Sequence, residues 1–239
     1  TPENPVMNFV KSGCNVISVA NGSDVEYTVK GAGQAVTLAA DAVVYGSVKV
    51  TDNVFDGAGN TLSAAEVPSN NGMIRPAGNV TVKNVKIDGN NLSWNDNGTE
   101  RGLRGLYIND GGNYVFDKVE VYNVTYAINV NTTKTVTLNV SNSILEGWSS
   151  YGSSTTASFS IVTFKVNPTS GVGYFRPYGN TVLSNCSFDN GFKVDFSELV
   201  KNSTTIKFDK CKYNGTLITA ENIQTLGFIE NYDATVVVF

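Results

Sequence analysis

The sequence predicts an all-β solenoid: one chain wound into stacked coils of parallel strands, with a cap at each end. Three observations carry this expectation. Asparagine and glycine are abundant, 29 and 23 of 239 residues, and both tolerate the left-handed conformations of tight turns. β-Branched and aromatic residues fill the stretches between them, as strands require. Above all, a short apolar pattern recurs along the chain, and self-similarity of this kind marks a stacked repeat.

The recurring unit reads apolar-x-x-apolar-x-apolar, followed by a pair of residues suited to a corner. Its copies are Val82/Val85/Ile87, Phe116/Val119/Val121, Val140/Ser143/Leu145, Ile161/Phe164/Val166, Leu183/Cys186/Phe188 and Phe208/Cys211/Tyr213. First positions lie 34, 24, 21, 22 and 25 residues apart, and a weaker copy, Val50/Asn53/Phe55, precedes them. A longer echo joins MIRPAGN (73–79) to YFRPYGN (174–180) at an offset of 101.

Apolar residues two apart face one side of a strand. The two intervening residues, such as Lys83-Asn84 or Asp209-Lys210, turn a corner before the chain points inward again. One coil cannot bury its own apolar side chains. Coils stacked about 4.8 Å apart bury a continuous column and satisfy each other's backbone hydrogen bonds. Asparagines at stacked corners extend side-chain ladders.

The segments VTVKNVKIDGNN (80–91), YVFDKVEVYNV (114–124), TVLSNCSFDNG (181–191) and TIKFDKCKYNG (205–215) resemble the single-stranded right-handed parallel β-helix of the pectin-lyase-like superfamily. The resemblance implies that fold and its handedness over roughly residues 48–216. It implies no single activity, because the superfamily includes lyases, hydrolases, adhesins and phage spikes. A β-sandwich is the rival fold, but it does not account for the in-phase echo.

One domain is expected over 1–239: an N-terminal coil or cap at 1–47, regular coils at 48–216 and a C-terminal cap at 217–239. Both ends of a solenoid expose apolar side chains and strand edges, so both need covering. Asp195–Val200 fits either a short helix or a strand, and Asn222–Leu226 fits a helical turn. Val236–Phe239 is either a pairing strand or the cut edge of a longer protein. Residues 88–104 and 147–157 interrupt the period and read as loops, where function usually sits.

Composition excludes several functions. Net charge is −4, so no basic stripe invites nucleic acid. The absence of histidine removes histidine-dependent hydrolysis and histidine zinc sites. No apolar run approaches the roughly 18 residues of a membrane helix. The chain begins at Thr1, consistent with a removed export signal. The three cysteines, Cys14, Cys186 and Cys211, make no disulfide framework. Cys186 and Cys211 occupy equivalent positions on adjacent coils and should be buried free thiols. Ten N-x-S/T sequons read as products of asparagine-rich corners.

Two candidate sites emerge. Trp94 and Trp148 fall in the two loops, with Tyr151 beside Trp148 and with Arg101 and Arg104 nearby; aromatic faces of this kind bury the C–H faces of sugars. Asp88, Asp96, Glu100 and Asp110 form the second. The resemblance implies a use for them: some lyases of the superfamily hold Ca²⁺ against an acidic sugar with such carboxylates and use arginine or lysine as base. Arg75 and Arg176, in the two R-P-x-G-N segments, lie too far apart to share one small ligand and read as a recurring corner. The leading expectation is an exported or cell-surface module, bacterial by resemblance and composition, that binds glycan or mediates adhesion without catalysis and needs no cofactor. Its partner is a polysaccharide or a surface protein. The alternatives are a polysaccharide lyase or glycoside hydrolase acting through 88–110, and a structural spacer.

Overall fold

A computed structural model of the chain describes the backbone of residues 9–10, 15–21 and 24–30, and all atoms of 35–67 and 71–239. Cys14 and most of the expected N-terminal cap lie outside the residues described in full.

The segment Val80–Asp88 shows why these sequences make strands. Val80 and Val82 are buried while Thr81 and Lys83 point outward. Asn84 then adopts a left-handed conformation, φ 52°. That bend resets the alternation, so Val85 and Ile87 are buried too. The same bend recurs at Lys118, Asn142, Ile161, Asn185 and Lys210. Side-chain bonds tie corner to corner: Asn84 Nδ2 donates to Asp56 Oδ1 at 3.3 Å and Asn142 Nδ2 to Asp117 Oδ1 at 3.0 Å.

Parallel pairing follows the repeat. Val82 pairs with Phe116, Phe116 with Val140, Val140 with Phe159, Phe159 with Leu183, and Leu183 with Phe208. Two copies of the repeat need correction. The fourth is Phe159/Val162/Phe164, not Ile161/Phe164/Val166. The weak copy also moves, because Phe55 stands in the column of Val82 while Val50 belongs to the other sheet.

The chain alternates between two large sheets and returns to each once per repeat. Counted over the described residues, one has fifteen strands and the other ten; the first runs through Val80–Asp88, Gly112–Tyr122, Val136–Glu146 and Thr155–Lys165. The second runs through Gly72–Ala77, Arg104–Ile108, Tyr126–Val130, Trp148–Tyr151 and Tyr174–Pro177. The molecule is all-β with long parallel sheets, compatible with a parallel β-helix. Parallel pairing through the middle of both sheets is incompatible with an antiparallel β-sandwich.

Antiparallel pairs border the parallel stack. Phe9–Val10 pairs with Val36–Leu38, Asn15–Asn21 with Asp24–Lys30, and Lys212–Tyr213 with Thr216–Leu217. Such pairs occupy edges that would otherwise recruit other chains. Ser197–Asn202 is a helix. Asp195 Oδ1 accepts the Ser197 N–H at 2.8 Å, so a residue just before the helix satisfies one of its free donors. Leu226 N donates to Asn222 O at 3.0 Å, closing the helical turn expected there. Val237–Val238 is a pairing strand, alongside Ile206–Asp209.

Both expected loops contain strands. Residues 93–102 form a hairpin, Ser93–Asp96 against Thr99–Gly102. Trp148–Tyr151 is a strand of the ten-stranded sheet, and Thr155–Lys165 resumes the fifteen-stranded one. The polar ladder expected at stacked corners is present. Asn167 Nδ2 donates to Asn91 Oδ1, Asn91 Nδ2 to Asn123 Oδ1, and Asn123 Nδ2 to Asp88 Oδ1.

Two predictions arise from this architecture. Ile161 is β-branched, 58% exposed and held at φ 56°, where an L-residue other than Asn or Gly pays about 1–2 kcal/mol. Ile161→Asn should therefore raise unfolding free energy by about 1 kcal/mol in urea titration, and an unchanged or lower value would contradict the corner geometry. Cys186 and Cys211 are buried and free. The Cys186 thiol is pushed up by its contact with Cys211 and by burial. A thiol reagent should leave both untouched in folded Cys14→Ser protein and label both after unfolding.

Candidate functional site

The outward face of the ten-stranded sheet collects side chains of one chemistry. Arg104 pairs with Tyr126, Tyr126 with Trp148, Trp148 with Tyr174, and Tyr174 with Lys193. Neighbouring strands lie about 4.8 Å apart, so outward rings in one column come into contact. Tyr126 and Trp148 have centroids 5.3 Å apart at 31°, and Trp148 and Tyr174 4.8 Å apart at 64°. The Arg104 guanidinium lies 4.6 Å from the Tyr107 ring centre and 5.0 Å from that of Tyr126. Its Nε donates to Asn129 Oδ1 at 2.9 Å. Arg176 lies 5.4 Å from the Trp148 ring centre and 5.6 Å from that of Tyr178. Cations over aromatic faces gain about 0.5–1 kcal/mol each at exposed positions, which helps order this surface.

Local backbone features aim these residues. Gly147, at φ 94°, joins Val136–Glu146 to Trp148–Tyr151. A Cβ there would sit 3.0 Å from the carbonyl oxygens of Val124 and Thr125, so only glycine fits without strain. Pairing slips by one residue between Tyr126 and Ile128. Ala127 and Ile128 both turn inward, and the resulting bulge leaves Tyr126 and Asn129 on the outer face.

A second column runs beside the first. Lys49 pairs with Arg75, Tyr107 with Asn129, Asn129 with Ser150, and Ser150 with Arg176. Arg75 and Tyr107 directly follow the paired residues Ile74 and Leu106. Two shallow grooves open on this column. One of about 280 Å³ is lined by Lys49, Arg75, Tyr107, Asn109, Asp110 and Lys134. The other, of about 580 Å³, is lined by Asn129, Asn131, Ser150, Arg176 and Tyr178 among others.

The field is not uniform. Burial raises the Tyr107 phenol, but hydrogen bonds from Asn131 and Asn109 and the charges of Arg104 and Arg75 outweigh it, so its pKa falls below 10.0. At the far end Tyr174 donates to Asp195 Oδ2 at 2.5 Å and to Glu230 Oε2 at 3.1 Å. Burial and these two carboxylates hold the proton on Tyr174. Burial also raises Asp195, yet the donors Tyr174, Ser197 N–H and Asn231 bring it below the ordinary carboxylate value.

The residues singled out in the sequence divide between this face and the hairpin. Trp148 and Arg104 stand together on the ten-stranded sheet, two strands apart. Trp94 and Arg101 are paired across the hairpin, and Arg101 Nε lies 3.4 Å from Asp96. Tyr151 points inward, 2% exposed, with its hydroxyl bonded to Thr181, so its ring is beyond reach of a surface ligand. The four carboxylates are engaged separately. Asp88 accepts from Asn90 N and Asn123 Nδ2, Glu100 from Ser93 Oγ, Asp96 pairs with Arg101, and Asp110 with Lys134 at 2.7 Å. Lys134 and the Gly111 N–H hold Asp110 below the ordinary carboxylate value. Among the described residues no three acidic or cysteine side chains converge as metal ligands would.

Tyr126, Tyr174, Tyr107 and Arg176 complete the face, and nothing in their sequence spacing groups them with Trp148. Their signal is the strand register, which becomes visible only once the ten-stranded sheet is aligned. Comparison with protein-family models, with curated proteins and with solved structures finds no match for this chain.

Proposed function

We propose that this chain is a right-handed parallel β-helix of the pectin-lyase-like kind, a secreted or cell-surface module that binds carbohydrate without catalysis. The binding surface is the outward face of the ten-stranded sheet. The observation that carries this is the continuous column Arg104–Tyr126–Trp148–Tyr174, bordered by the amides and hydroxyls of Asn129, Asn131 and Ser150. Aromatic rings bury the apolar C–H surface of sugars, while amides and hydroxyls meet their hydroxyl groups. Adhesion follows if the glycan is fixed on a surface. The lyase or hydrolase alternative asks Asp88, Asp96, Glu100 and Asp110 to act together around Ca²⁺ or water, whereas each has its own local partner.

Native affinity electrophoresis through gels containing plant, microbial and host polysaccharides, with and without Ca²⁺, tests the proposal. Retardation by at least one polymer without its degradation is expected. Ca²⁺-dependent clearing would move the assignment to the enzyme. Free migration through every gel would leave a spacer or a protein-binding module.

A further inference from the structure

The two R-P-x-G-N segments remain to be explained. Their arginines, Arg75 and Arg176, stand in the same outward column, on strands separated by three others. At about 4.8 Å per interval they lie about 19 Å apart. Each opens on one of the two grooves. Neither guanidinium makes an ion pair among the described residues, and both Nε atoms are buried without a hydrogen-bond partner. A guanidinium carries five donors and is always charged, so these two sites are short of acceptors.

Opposing charge is scarce around them. Among the described residues the only carboxylate lining the Arg75 groove is Asp110, already bonded to Lys134, while Lys49 adds a further cation. Among the described residues no carboxylate lines the Arg176 groove. Beside Arg75, the charges of Arg104 and Arg75 add to the hydrogen bonds from Asn131 and Asn109 that lower the Tyr107 phenol. All this occurs on a chain of net charge −4, so the strip is a local property.

Resting on the carbohydrate-binding proposal, we infer that the ligand is a linear anionic glycan lying along the stacking direction, across the strands, with one oxyanion anchored at Arg75 and another, several sugars away, at Arg176. Tyr107, Asn129 and Ser150 line the path between, and the Tyr126–Trp148 pair flanks it. A guanidinium fork matches a carboxylate or a sulfate ester in planar, two-pronged fashion. A surface pair of this kind is weak alone. Two anchors on one chain reinforce each other only when the chain spans both.

The test uses the full chain and titrates it with polygalacturonate, a sulfated galactan and a neutral galactan, each as polymer and as a size series of oligosaccharides. The anionic polymers should bind at least tenfold more tightly than the neutral one, and 0.5 M salt should erase most of that difference. Arg75→Gln and Arg176→Gln should each weaken polymer binding about fivefold or more, with the charge-retaining Lys variants falling less. Circular dichroism melts of all variants exclude loss of fold. Oligosaccharides too short to bridge the arginines should bind weakly and be insensitive to one of the two substitutions. Binding by only one anionic polymer would support the inference and identify the oxyanion.

Equal binding of neutral and anionic polymers, or a double Gln variant with undiminished affinity, would overturn the anionic assignment and leave carbohydrate binding intact. Short oligosaccharides as tight as polymer would overturn the two-anchor arrangement. Failure of all three glycans, together with free migration across the electrophoresis panel, would remove both proposals.

Discussion

Phe188→Ala is expected to cost about 3–5 kcal/mol of unfolding free energy. Phe188 is 1% exposed and sits at the centre of an aromatic column. Its ring stacks on Phe164 at 4.8 Å and 12°, and meets Phe192 at 5.6 Å, Phe228 at 5.7 Å and Phe208 at 6.2 Å. Removing it takes a large apolar surface out of the core and leaves a cavity. Parallel strands on either side, fixed by the Phe164–Phe188 and Phe188–Tyr213 pairings, cannot collapse into that space. Domains are stable by only about 5–15 kcal/mol, so the variant should unfold at much lower urea. Phe188→Leu, which keeps part of the volume, should lose less. A loss below about 1 kcal/mol for the alanine variant would contradict this packing.

Trp148→Ala should lower glycan affinity by roughly thirtyfold, the effect of a central aromatic anchor worth about 2 kcal/mol. Trp148 is the middle ring of the outward column and also lies under the Arg176 guanidinium. Its loss removes contact surface and unseats its neighbours at the same time. Trp148→Phe should recover part of the affinity, because a smaller ring still bridges Tyr126 and Tyr174. Trp94→Ala should leave affinity unchanged, since Trp94 belongs to the separate hairpin. The reverse pattern in binding titrations would place the site on the hairpin.

The fifteen-stranded sheet was legible in sequence because its inward positions are nearly all apolar. The triplet Val82/Val85/Ile87 and its partners are paired in the structure as they align in sequence. Ile161 misled the alignment, because its apolar character fits the repeat while its exposed corner position does not. Stacking of corners above and below overrides the local preference of a β-branched residue there. The ten-stranded sheet was harder to read. Its inward positions include Ser149 and Gly105, and the Ala127–Ile128 bulge breaks the alternation. For the same reason GWSSYGSSTTA resembled a loop although Trp148–Tyr151 is a strand. The aromatic face therefore depended on register, which no single strand carries. The carboxylates of 88–110 are close in sequence, but hairpin and corner geometry give each a different partner.

The proposed glycan meets the outward face of the ten-stranded sheet, beside Trp148. Trp94 and Trp148 are the chain's two tryptophans, so Trp94→Phe leaves Trp148 as the one indole reporter. Titrating that variant with the polysaccharide that retards the native protein should change Trp148 emission saturably, with the same midpoint as binding, while the Trp148→Phe variant, which reports Trp94, should stay silent. A response from Trp94 alone, with Trp148 emission constant through saturation, would place the binding site on the hairpin and not on the sheet.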